Sequence, residues 1–387
     1  LALAEPIAQI VTLGCRPART LENSTALAVL YYLPTGAAPG GRQELETRMF
    51  GAKRLSGDFR PFTVAVLLAA LCGCGPFSAR GEAAPLVLER TIVLKDVVGR
   101  IDHLAVDPAH GRLFVAELGN GSVEAVDLKS GAVLGRVDGL HEPQGLAYLP
   151  ARDELVVASG GDGSVRFFRA ADLAPVGSLV LGGDADNVRV DAPTGHVVVG
   201  YGSGALAVID PATRRVLVKA ALPAHPEGFQ LEGSWAYVNV PGGRGIHVLD
   251  VATGRELAIW PNGWLNANYS LALDPPAALI AVVYRFPPML AILDVGAGAR
   301  RQAAATCADA DDVFFDHKRR RIYVICGSGA VDVFEAATKD YAHLARIPSR
   351  DGARTGFFAP QLDRLFVAAR ARGEARDAAI LVFRPAP

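Results

Sequence analysis

Residues 103–140 read HLAVDPAHGRLFVAELGNGSVEAVDLKSGAVLGRVDGL. Four short apolar stretches follow one another here. His103–Val106 ends in Asp-Pro, Arg112–Ala116 is followed by Gly-Asn-Gly, Ser122–Asp127 runs into Ser-Gly, and Val133–Val137 completes the set. Short alternating runs separated by Gly, Asn and Pro turns predict an antiparallel meander of four strands. The opening of this unit, a polar residue, a spacer and a mostly apolar run of four, returns six times. Its copies start at Asp102, Gln144, Asp186, Glu227, Tyr269, Asp311 and Thr355, at intervals of 42, 42, 41, 42, 42 and 44 residues. A period in the forties is that of a toroidal β array, in which each repeat is one blade.

The ends of the array predict how it closes. The last copy supplies three strands (356–359, 364–369 and 379–384), and a spare strand, Leu86–Leu94, precedes the first. Pairing that leading strand with the last copy removes an exposed edge. The predicted fold is therefore all-β: a seven-bladed β-propeller of four-stranded antiparallel blades over residues 82–387, its last blade closed by the N-terminal strand.

Upstream, residues 61–75 (PFTVAVLLAALCGCG) form an uncharged apolar run, preceded by Lys53, Arg54, Arg60 and Met49. That is the layout of a signal peptide, and the run is too short to span a bilayer as a helix. Residues 49–81 are accordingly expected to be a signal, and 1–48 an upstream extension outside the fold. Leu71-Cys72-Gly73-Cys74 resembles a bacterial lipobox with Cys74 as lipid acceptor. Ordinary cleavage near Ala79-Arg80-Gly81 is the alternative. Either route predicts an exported protein, periplasmic or lipid-anchored in the envelope, touching the membrane only through that anchor. Cys307 and Cys326 are the two cysteines of the body, and an exported pair of this kind is a disulfide candidate. Without residues 1–81 the chain keeps 31 basic and 35 acidic residues. That balance, with no basic block, argues against nucleic acid as a partner.

The wording of the repeats, LFVAELGNGSVEAVDLKSG, LVVASGGDGSVRFF, VVVGYGSGALAVIDPAT and AYVNVPGGRGIHVLDVATG, resembles the YVTN-type β-propeller repeat of exported, YncE-like bacterial proteins. The resemblance covers about 86–384 and implies a propeller that binds a small molecule or envelope protein, since such proteins are not generally assigned a reaction. Its shared residues serve turns and packing, so chemistry has to be sought at the site.

First strands line the central channel of a propeller, which places the repeat column in a ring at one mouth. Asp102, Asp186, Glu227 and Asp311 make that ring acidic. His103, Asn187 and Asp312 follow one residue further in, while Glu142 and His225 stand two residues outward of Gln144 and Glu227. Clustered carboxylates hold a cation or raise one another's pKa. A ligand site is expected among these residues together with Gln144, Tyr269, Arg285 and Arg354, the two arginines pairing with the carboxylates or gripping an anion. Asp186, Asn187, Glu227 and Asp311 are candidate ligands for a divalent ion such as calcium or magnesium. His103 and His225 are candidate metal ligands or general bases. Two alternatives stand beside binding: a ring that only orders water, and a metal-dependent hydrolase or lyase similar to gluconolactonase-type and virginiamycin-lyase propellers. The loops after the second strands should rim the same face with Glu117, Tyr201, Asn239, Tyr284, Arg285 and Cys326. A monomer is expected.

Overall fold

The computed structural model describes residues 84–372 and 377–387. The expected extension 1–48, the signal 49–81 and Cys74 lie outside the described residues. Seven four-stranded antiparallel sheets form the fold, and helix is limited to three single 3-10 turns among the described residues. Blade 1 comprises Leu104–Asp107, Arg112–Glu117, Ser122–Asp127 and Val133–Val137. Blades 2 to 6 repeat this order. Blade 7 pairs Gly356–Ala359, Arg364–Ala369 and Ala378–Pro385 with Leu86–Leu94, as the sequence predicts.

Burial explains why the strands differ in composition. Second strands such as RLFVAE and ELVVAS are buried along their whole length, wedged between neighbouring blades, and so carry near-continuous apolar runs. Fourth strands face outward and alternate between exposed and half-buried positions, as in Arg215–Ala221. In blades 1 to 6 the third and fourth strands slip register at the same place, between Ala125 and Val126 in blade 1 and between Val333 and Phe334 in blade 6. A bulge there bends each outer strand and blunts its free edge.

Closure is carried by packing as well as by strand pairing. Ile92, Leu94, Ile380 and Val382 of blade 7 share one buried cluster with Leu104, Leu113, Val115 and Val126 of blade 1. Arg321 adds a polar clasp, donating to the backbone carbonyls of Pro85 and Ala386.

Turn aspartates behave as their positions suggest. Asp107 accepts from the amides of Ala109 and His110, Asp274 from Ala277, Asp316 from Arg319, Asp210 from Ala212 and Asp250 from Thr253. Such bonds fix the turn between strands. Glycine in the first strands has a different cause. A Cβ on Gly145 would collide with the carbonyl of Asp186, so this position lets the innermost strands of blades 2 and 3 approach closely.

Candidate functional site

The inner strands bring the column together at one end of the channel. A cavity of about 30 Å³ there is lined by Arg100, Asp102, His103, Asp186, Asn187, Glu227, Tyr269, Asp311 and Asp312, together with Gly228 and Ser270. Asp102, Asp186, Asn187 and Asp312 are buried, while His103, Glu227, Tyr269 and Asp311 are half-buried. Gln144 lies just outside, its amide 3.4 Å from Asp184. Glu142 is exposed, with left-handed backbone at φ 52°, and does not line the cavity.

Cations accompany most of the acids. Arg100 donates to Asp102 at 2.5 Å. Arg285 Nη2 meets Asp311 Oδ1 at 2.7 Å, and Arg354 Nε meets Asp311 Oδ2 at 3.0 Å. Of the two roles open to these arginines, the one seen is pairing with carboxylates. His225 donates from Nδ1 to Gly202 O (2.7 Å) and points Nε2 towards Asp186 Oδ2 at 4.0 Å. His103 Nε2 sits between Asp102 (3.9 Å) and Asp186 (3.8 Å), close enough for charge attraction and too far for a hydrogen bond.

Burial and charge set the protonation of this group. Burial pushes Asp102 up to about 6 against the pull of His103. It pushes Glu227 up to about 7, helped by the negative charge of Asp186. Asp312 also rises to about 7 by burial, although His103 and the Gly356 amide oppose the change. Asp186 behaves differently. Burial works against its ionisation, but His225, His103 and Arg100 outweigh that effect and hold its pKa below the ordinary value. The Asp186 carboxylate in turn lifts His225 to about 9. At neutral pH the mouth therefore holds an ionised Asp186 beside a cationic His225, with Glu227 and Asp312 near half-protonation.

Three acceptors at the mouth are left over. Asp186 Oδ1 and Asn187 Oδ1 are buried without a hydrogen-bond partner, and no hydrogen bond or ion pair within 4.0 Å is made by the Glu227 carboxyl among the described residues. Buried acceptors of this kind call for a donor, from water or from a ligand. A shared metal is a poorer fit. Among the described residues, the one trio of His, Cys, Asp and Glu whose donor atoms lie within 4.8 Å of one another is Asp107, His110 and Asp153, on the opposite face. Asp186, Glu227 and Asp311 thus do not converge on one point, and both Asp311 oxygens face guanidinium groups. The trio itself is occupied by Arg112, which bonds Asp107 and Asp153.

The expected rim is mostly interior. Glu117, Asn239, Tyr284 and Cys326 are buried between blades, because the ends of the second strands are covered by the neighbouring sheet. Asn239 and Tyr284 belong to a buried polar chain with Asn262 and Asn268. Tyr201 and Arg285 remain half-buried. Cys307 and Cys326 are disulfide-bonded, their Cα atoms 5.8 Å apart.

No protein-family model matches the chain, and no curated protein is significantly similar to it. Its likeness is structural. The Kuenenia stuttgartiensis hydrazine synthase superposes with a TM-score of 0.61 at 17% identity, covering 78% of this chain and 99% of that one. At that identity the likeness shows the seven-bladed propeller fold alone.

One residue facing the channel escaped the reading of the repeats. Arg189 stands three positions after Asp186, where the other blades carry Ala105, Ala147, Gln230, Ala272, Phe314 and, by strand register, Phe357. Reading the column that far inward would have found it as the one cation of its ring.

Proposed function

We propose that this chain is an exported, YncE-like propeller of the YVTN-repeat kind that binds a small ligand at the channel mouth through a hydrogen-bond-donating head group, a primary ammonium above all. The observation that carries the reading is the meeting of three unsatisfied acceptors, Asp186 Oδ1, Asn187 Oδ1 and Glu227, at a cavity of about 30 Å³. That volume holds one group the size of water or ammonium, with the rest of the ligand outside. A disulfide between Cys307 and Cys326 supports an oxidising compartment, and hence export. Binding is favoured over the hydrolase or lyase reading because the carboxylates do not converge as a catalytic divalent ion would require.

Thermal melting and calorimetric titration of the purified full chain with methylammonium, calcium, magnesium and EDTA test the proposal. Methylammonium should raise the melting temperature, the divalent ions and EDTA should leave it unchanged, and Asp186→Asn with Glu227→Gln should remove the amine effect. Stabilisation by calcium or magnesium, or amine binding that survives the double change, would overturn it. Export is tested separately by cell fractionation. A Cys74→Ala chain that leaves the membrane fraction supports the lipid anchor, and one whose distribution is unchanged supports ordinary cleavage.

A further inference from the structure

Below the mouth, on the far side of His103 and Asp312, the inner strands enclose a second cavity of about 350 Å³. Tyr148, Phe314, Phe357 and Phe358 supply aromatic wall, and Arg189 and Gln230 are its polar members besides His103 and Asp312. A space of this size falls in the range of small-molecule sites.

Arg189 is the unusual member. Its Nη1 donates to the carbonyl of the preceding Val188 at 2.8 Å, and its guanidinium lies 5.5 Å from the centre of the Phe229 ring. Among the described residues no carboxylate comes within ion-pair distance of it, 4.0 Å. Arg100, Arg285 and Arg354, by contrast, each grip an aspartate. Asp312 and Asp186 attract Arg189 from farther away, and Asp312 is engaged by the Gly356 amide. The surroundings disfavour the charge strongly enough to lower its pKa, yet a guanidinium keeps its proton. A fixed cation in a cavity with aromatic walls and no carboxylate within ion-pair distance is half of a recognition pair.

We infer that this cavity binds an amphipathic monoanion, a carboxylate carried on a compact apolar or aromatic body, with the carboxylate on Arg189 and the body among Phe314, Phe357 and Tyr148. The planar guanidinium fork matches a carboxylate, and its remaining donors are free to take both oxygens. The site shares His103 and Asp312 with the mouth as a common wall but is built around Arg189, and it does not rest on the amine-binding reading.

Calorimetric titration of the full chain with phenylacetate, 2-phenylethanol and acetate separates the contributions. Phenylacetate should bind at least about tenfold more tightly than either the neutral alcohol or acetate, a difference of about 1.4 kcal/mol. Arg189→Met should abolish that preference and Arg189→Lys should weaken it. Leu217→Ala, on an outer strand away from the cavity, should leave it in place. Circular dichroism establishes that each variant is folded. If Arg189→Met does not fold, a Phe357→Asp change, which places a negative charge beside the same cavity, must abolish phenylacetate binding. Equal affinity for acid and alcohol, no binding of phenylacetate at about 10 mM, or binding that survives loss of Arg189 would overturn the inference.

Discussion

The Arg285 guanidinium stacks 3.8 Å above the ring of Tyr269 while its Nη2 donates to Asp311 at 2.7 Å. One side chain thus links consecutive positions of the repeat column across blades 5 and 6. Arg285→Met keeps the stem but leaves Asp311 to Arg354 alone. Denaturant unfolding should show a loss of about 2 kcal/mol, the scale of a hydrogen bond to a charged group. Arg285→Lys should recover only part of it, because an ammonium cannot reproduce the stacked fork.

Stability should fall as pH rises through the neutral range. His225 is lifted from its ordinary value to about 9, so its contribution is complete below about 6.5 and disappears as pH climbs through 9. Asp102, Glu227 and Asp312 are raised by burial, and holding their protons favours the native state between the ordinary carboxylate range and about 6 to 7. Both effects weaken the fold with increasing pH. Asp186, whose pKa is lowered, acts only in acid, where its contribution is lost as pH falls. Melting curves from about pH 5 to pH 10 should decline throughout, and His225→Gln should flatten the upper part. A melting temperature that rises from neutral to alkaline pH would contradict these assignments.

Reduction should weaken blade 6 measurably. The Cys307–Cys326 bond closes a loop with a sequence separation of 19, for which chain entropy gives about 3 kcal/mol. Denaturant midpoints with and without a reductant, and for Cys307→Ser with Cys326→Ser, should agree on that loss.

Leu94→Ala tests the seam of the ring. Leu94 is fully buried in the cluster joining blades 7 and 1, and truncating it should cost about 2 to 5 kcal/mol. An equivalent truncation on an outer strand, Leu217→Ala, should cost far less, since Leu217 is 51% exposed.

The fold was legible because its evidence is repeated. Turn residues such as Asp107, Asp274 and Asp316 do the same hydrogen-bonding work in several blades, so each copy checks the others. Strand limits shifted only slightly, His103–Val106 in the reading against Leu104–Asp107 in the structure. The site was less legible. The column put Asp102, Asp186, Glu227 and Asp311 at one mouth, and the four line one cavity, but it left open whether Arg354 and Arg285 would turn onto Asp311 or towards an anion. Nor could it show that Glu117 and Asn239 would be shut between blades. Those outcomes depend on side-chain direction and on the facing sheet, neither of which a spacing encodes. Arg189 was missed for a simpler reason: its ring lies deeper than the positions compared.

Leu86 pairs with Pro385, so the first strand of the ring waits for the last. Wherever the chain folds, blades 1 to 6 can each form from nearby sequence, whereas the seam needs partners separated by nearly the whole domain. Until then the surface of blade 1 formed by Leu113, Val115 and Val126 has no cover. Incompletely closed and C-terminally truncated chains therefore share one vulnerable state, an open ring with a sticky flank.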